Sequence, residues 1–223
     1  MKILALDTAL GACSVAVLDD LAVLAHRWQE MERGHAEALA PMVERVMSES
    51  GIAFSEIDRL AVTTGPGTFT GQRVGLAFAR GLRVALEKPL VGLTTLEVIA
   101  AAAASETDLN SVAAAHDARR GEVYLEIISD GISVFAPAVL TPVDTASAIA
   151  KHVQQSAVAV AGTAAPLIAE ILEKHHAITP RLSAARQPDA VWLARLAYAR
   201  APGESVPAPL YLRAPDAKLP GGG

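Results

Sequence analysis

Two distant stretches of the chain, ALDTALGACSVAV at 5–17 and AHDARRGEVYLEI at 115–127, align with one another. Each carries an aspartate four residues before a glycine at its first turn, Asp7 with Gly11 and Asp117 with Gly121. One such match is weak, but the elements around the two copies repeat as well. KILALDTA (2–9), ACSVAVL (12–18) and LAVLAHRWQE (21–30) read as three strands, and the short turns between them imply antiparallel neighbours. From His35, the positions Leu39, Met42, Val43, Val46 and Met47 recur at helical spacing until Gly51 stops the helix. Pro41 predicts a kink or a late start there. RLAVTT (59–64) is a strand, a helix runs from about Thr70 to Leu86, PLVGLTT (89–95) is a strand, and an alanine-rich helix follows.

The second half reads in the same order. SVAAAHDA (111–118), EVYLEII (122–128) and ISVFAPAVL are strands, with Asp130-Gly131 as a hairpin signal before the third. A helix over roughly 143–155, a strand AVAVAG (157–162) and a helix over roughly 164–175 complete it. The pattern is βββαβα twice, at a spacing of about 110 residues, which signals a duplicated domain rather than a solenoid. The polar break at Ser105-Glu106-Thr107-Asp108 divides the chain into domains 1–105 and 106–223, the second ending in a flexible LPGGG tail.

Tandem βββαβα domains are the α/β architecture of the actin, sugar-kinase and Hsp70 superfamily, the actin-like, ribonuclease H-like fold. In that architecture the first hairpin turns of both domains face a central cleft, with aspartates near nucleotide phosphates and metal. Asp7, the adjacent Thr8 and Asp117 are therefore candidate nucleotide-binding residues. The alternative is that each aspartate only caps its own turn.

Composition removes several function classes. The net charge of −5 leaves no bulk attraction for nucleic acid, so any RNA contact needs a local patch or a partner. The lone Cys13 excludes a disulfide framework and lies in an apolar stretch, as a core residue would. Asp7 interrupts the N-terminal apolar run too early for a signal peptide. VIAAAAA (98–104) is far short of the ~20 residues of a membrane span. A cytoplasmic protein without membrane association is expected.

Gly65-Pro66-Gly67 follows a strand and precedes a helix, which aims main-chain N–H groups outward where an anion can sit. Gly65, Gly67 and Thr68 join the nucleotide-binding candidates on that ground. Neither sharp fingerprint is present: Gly71 is followed by Gln72 rather than the lysine of a Walker loop, and Thr70 stands where a dinucleotide loop has its third glycine. A turn with a Thr68 or Thr70 cap explains the segment without a ligand.

The helix that follows carries Gly71, Gly75 and Ala79 as one small-residue strip, and Val74, Phe78 and Leu82 as an adjoining apolar stripe. Its apolar arc exceeds the ~100° that a surface helix needs. Interior glycines cost ~1 kcal/mol each relative to alanine and must be offset by close packing. A second helix is expected to arrive on this one, either from another chain or from the helix at 35–50; both contacts being internal is the competing reading.

ILALDTA (3–9), GHAEALAPMV (34–43), GPGTFTGQRVGLAFARGL (65–82), GLTTLE (92–97), HDARRGEVY (116–124) and PLYLR (209–213) together resemble the TsaB family, the bacterial tRNA threonylcarbamoyladenosine biosynthesis proteins also called YeaZ. The resemblance spans nearly the whole chain. It implies the actin-like fold and a part in attaching threonylcarbamoyl to the adenosine beside the anticodon. It implies an accessory subunit with no catalytic residue and no metal site, paired as a heterodimer with its paralogue TsaD, which performs the transfer. The ATPase TsaE joins at their junction, and tRNA is reached through the complex. The dimer uses the first two helices, which nominates His35, Leu39, Met42, Val46, Gly71, Arg73, Gly75, Leu76, Ala79 and Arg80 as partner-facing. Alone, the chain is expected to pair with a second copy through the same helices. No cofactor is expected to bind the isolated chain tightly. Asp7, Thr8, Gly65, Gly67, Thr68 and Asp117 would share ATP or ADP with the partners.

The paralogue holds its metal with an H-x3-H helix motif, but here His35 is followed four residues on by Leu39. His175-His176 diverge on a helix, His26, His116 and His152 have no paired spacing, and no HExxH occurs, which argues against a metalloprotease. Ala9 stands where a serine is expected after Asp7-Thr8, and Arg119-Arg120 precede the glycine of the second turn. The reading from a different class is an independent actin-fold ATPase or sugar kinase, for which VAGTAAP (160–166) is a thin adenosine-binding match.

Overall fold

The structure, a computed structural model, describes residues 1–153, 157–203 and 205–213. The LPGGG tail and the end of the helix expected over 143–155 lie outside them. The doubled βββαβα order is present. β1 (Lys2–Asp7), β2 (Ala12–Asp19) and β3 (Ala22–Glu30) precede α1 (His35–Ser50), β4 (Arg59–Thr63), α2 (Phe69–Leu86), β5 (Leu90–Leu93) and α3 (Thr95–Thr107). β6 (Ser111–Arg119), β7 (Glu122–Ser129) and β8 (Ile132–Leu140) precede α4 (Pro142–Val153), β9 (Ala159–Ala161), α5 (Ala165–His176), β10 (Arg181–Leu182) and α6 (Ala190–Ala199). The sheets run β3-β2-β1-β4-β5 and β10-β9-β6-β7-β8, with β1–β2–β3 and β6–β7–β8 antiparallel.

Strand alternation sorts the core. Leu4 and Leu6 of β1 face Leu39, Val43 and Val46 of α1 and Leu76 and Ala79 of α2. Ile3 and Ala5 face the other way, against Ala190, Leu193, Ala194 and Ala197 of α6. β1 is therefore apolar on both faces and reads as a continuous run. In the second sheet, Ala113 and Ala115 pack with α4 and α5, while Val112 and Ala114 pack with Leu96, Ile99, Ala100 and Ala103 of α3. α3 thus follows the first sheet in the chain but covers the second, and α6 follows the second but covers the first. The two helices touch between the sheets. Residues 105 and 106, where the chain was divided on sequence, lie in the last turn of α3.

Three features differ from expectation. α1 runs from His35 straight through Pro41, whose ring is exposed, so the helix starts early rather than late. The lost N–H leaves a carbonyl on the solvent side, where water can satisfy it. α2 begins at Phe69, one residue earlier than expected, because Thr68 is the cap: its Oγ1 accepts from the Gly71 N–H at 3.1 Å. β10 and α6 were not anticipated, yet they complete the repeat: they stand in the second half where β5 and α3 stand in the first, beside β9 as β5 lies beside β4.

Candidate functional site

The end of β1 delivers Asp7 and Thr8 to the mouth between the sheets, but both stay beneath the surface. Asp7 is 0% exposed. Its Oδ1 accepts from the Thr63 hydroxyl and, at 3.2 Å, from the Ala9 N–H, while Oδ2 is buried with no partner among the described residues. Burial pushes its pKa up to about 7 against the opposing pull of those two hydrogen bonds. Thr8 donates its hydroxyl to the Gly71 carbonyl at 2.7 Å.

The glycines explain why α2 can press so close. A Cβ on Gly67 would lie 2.2 Å from the Ala9 carbonyl oxygen, and one on Gly71 2.2 Å from that of Thr8. A Cβ on Gly75 would meet the Thr8 hydroxyl at 2.7 Å. Gly65, at φ +106°, is buried against the Gln72 amide. Asp7, Thr8 and Gly65 therefore belong to the packing under the loop.

Gly67, Thr68 and Asp117 instead line a cleft of about 490 Å³ between the two sheets. Sequence reasoning missed most of its other walls: His116, Thr163, Gln187, Arg119, Arg120 and Arg213. The two arginines after Asp117 were visible only as a departure from the family pattern, and Arg213 only as part of PLYLR. Asp117 caps its own turn, accepting from the Arg119 N–H at 2.8 Å, and its N–H donates to the Thr163 hydroxyl at 2.9 Å. His116 is buried, its Nδ1 has no partner among the described residues, and burial pushes its pKa down to about 4, so the ring is neutral. Among the described residues no group of three or more His, Cys, Asp or Glu could hold a metal ion. Among the described residues no helix is long and apolar enough to cross a membrane.

The residues nominated as partner-facing need correction. Leu39, Val46, Leu76 and Ala79 are in the core, and Gly71 and Gly75 are covered by the β1–β2 turn. His35 is buried as well, its Nε2 3.1 Å from the Leu10 carbonyl, which requires the proton on Nε2. Arg73 and Arg80 are engaged by the chain's own C-terminal segment, through Tyr211 and Pro207. Of the ten, Met42 and Arg80 are half-buried and Arg73 is exposed; Met42 packs at the core's edge. The outward face of α2 carries a different set. Val74, Phe78 and Leu82 are half-buried, Val84 is 73% exposed, and Ala77, Gly81 and Ala85 form a second small-residue strip that is exposed along its length. A Cβ on Gly81 would meet nothing within 4 Å.

The family model for TsaD, tRNA N6-adenosine threonylcarbamoyltransferase, matches residues 28–132. The chain is 44% identical over 124 residues to the tRNA threonylcarbamoyladenosine biosynthesis protein TsaB of Escherichia coli, covering 56% of this chain and 53% of that one. It spans about half the length of the curated TsaB relatives it matches first. The solved structure of YeaZ from Pseudomonas aeruginosa superposes with a TM-score of 0.79 at 32% identity, covering 95% of this chain and 100% of that one. The ROK hexokinase of Thermus thermophilus superposes with a TM-score of 0.54 at 16% identity, over 89% of this chain and 98% of that one. The fold is thus the actin-like one shared with sugar kinases.

Proposed function

The chain belongs to the TsaB/YeaZ family, and on that premise we propose that it serves tRNA threonylcarbamoyladenosine biosynthesis as an accessory subunit that docks TsaD through the outward face of α1 and α2. The family supports the pathway. The observation that carries the docking is the exposed strip of Ala77, Gly81 and Ala85 beside Val74, Phe78 and Leu82, with Met42 on α1 next to it. Small residues at every fourth position let a second helix approach closely, and the apolar stripe gives it surface to bury. A face of this kind left in water also pairs with a second copy, so the free chain forms a homodimer that TsaD displaces.

The transfer itself belongs to TsaD in this reading, with TsaE at the junction of the two proteins and tRNA held by the assembly in the cytoplasm. Any ATP or ADP is shared at the complex interface, where Gly67, Thr68 and Asp117 are the residues of this chain that reach the cleft. An independent kinase would need its first-turn aspartate in the open. Asp7 is instead sealed under the loop and tied to Thr63 and Ala9, which weighs against that reading.

Gly81→Arg tests the docking without harming the fold, since the site is open and arginine is the better helix former. The variant is expected to melt no lower than the parent, to lose co-purification with TsaD, and to give little modified tRNA. The assay mixes TsaD, TsaE, the adenylate-forming synthase, ATP, threonine, bicarbonate and tRNA, with parent chain and no chain as references. A folded variant that pairs with TsaD as tightly as the parent overturns the docking; product formed equally well without any chain overturns the role.

A further inference from the structure

We propose that residues 207–213 are a strap that couples the start of α2 to the lip of the cleft, so that the conformation of the turn after β6 depends on an anchor some distance away on α2. The strap is fixed to the first sheet at its beginning. The Leu210 N–H donates to the Thr64 carbonyl at 2.7 Å, and Arg80 donates to the Pro207 carbonyl at 2.5 and 3.2 Å. Pro207 sits where Gly92 has no side chain; a Cβ there would be 2.6 Å from the proline ring. Tyr211 then stacks on Phe69 with ring centres 5.9 Å apart, and the Arg73 guanidinium lies 3.4 Å from the centre of the Phe69 ring while its Nε donates to the Tyr211 hydroxyl at 2.8 Å. This anchor is on the surface: Tyr211 is 45% exposed and Phe69 51%. It can be released without opening the core.

Two residues further on, Arg213 crosses to the other sheet. Its guanidinium donates to the carbonyls of Ala118 at 2.9 Å and Arg119 at 3.3 Å, and to the Glu122 carboxylate. These are the groups that shape the β6–β7 turn. Arg119 and Arg120 both have positive φ, 63° and 58°, a region that costs a non-glycine residue of order 1 kcal/mol and is kept only where the surroundings hold it. The turn between β7 and β8 uses Asp130-Gly131, a pair suited to that conformation without help; the β6–β7 turn has Gly121, at φ 74°, in the same second place, but an arginine before it and Arg119 as one further residue of positive φ. Arg213 supplies from outside what the sequence of the arginine turn lacks. Because Arg213 is two residues from Tyr211, a change at the anchor on α2 is passed to the wall of the cleft.

The test is hydrogen exchange on the full chain alone, so its outcome is independent of whether α2 docks TsaD. The reporters are the N–H groups of Asp117, bonded to Thr163, and Arg119, bonded to Asp117. Tyr211→Ala changes no group that touches them. It is expected to raise their exchange about tenfold, the factor that ~1.4 kcal/mol of lost restraint gives, with β1 and β9 unchanged. Arg213→Ala should do at least as much. Faster exchange confined to the strap and the first turn of α2, with Asp117 and Arg119 within twofold of the parent, overturns the coupling. If Tyr211→Ala loosens β1 and β9 as well, Arg73→Ala, which removes the same anchor from the exposed side of the helix, is read by the same two outcomes.

Discussion

A carboxyl with no exposed surface and one oxygen without a partner among the described residues makes Asp7 a residue whose ionisation the fold resists. Its folded-state pKa, about 7, lies above the ordinary value of 3.8. Between those limits the native state keeps a proton that the unfolded chain has released, so stability falls as pH rises and levels off above pH 7. The loss from this group is at most ~4 kcal/mol across that window. Asp7→Asn keeps an oxygen for Thr63 and Ala9 and removes the charge. Urea unfolding at pH 5 and pH 8 should show the parent weaker at pH 8 and the variant nearly flat; an equal slope in both would show that Asp7 is not the titrating group. That Asp7 stands at a strand-to-turn junction is legible in ALDTALG. That its side chain points under the loop is not, because Thr63, which holds it together with the neighbouring Ala9 N–H, reaches it only after β4 has paired with β1.

α2 carries two small-residue strips on opposite sides of one helix, Gly71-Gly75-Ala79 and Ala77-Gly81-Ala85. Only the first is expected from sequence as a packing strip, although both have the same period and the same residue types, so periodicity cannot rank them. Packing separates them: the first lies on the β1–β2 turn and the second faces solvent. The same change should therefore have opposite signs on the two sides. Gly71→Ala puts a methyl against the Thr8 carbonyl and should cost roughly 1–3 kcal/mol. Gly81→Ala meets nothing and should gain up to about 1 kcal/mol from helix propensity. Thermal or urea unfolding of the pair checks this, and a destabilised Gly81→Ala in the lone chain would mean that the outer strip is already covered. The apolar arc of α2 is wider than the face it buries; which residues face inward was not written in the helix.

At the scale of the molecule, each sheet borrows a helix from the far side of the chain. α6 covers Ile3, Ala5, Ala16, Leu18 and Val91 of the first sheet although β6 through β10 of the second half precede it. Residues 1–105 made alone should then leave that face in water and be insoluble or molten, and fusing residues 186–200 after them should restore a cooperative transition. A well-folded 1–105 fragment by circular dichroism and exchange would show that α6 is dispensable to the first sheet. The amino-acid sequence by itself determined the two βββαβα runs, their strand and helix types, a threonine cap at the start of α2, and the kinship with TsaB, because each of these is written in local period, turn chemistry and short motifs. Tertiary structure alone decided that α3 and α6 exchange sheets, that the glycine strip faces inward, and that PLYLR reaches back to α2 and the arginine turn. Those depend on which surfaces remain uncovered once both sheets have formed, a property of the packed whole to which no window of sequence has access.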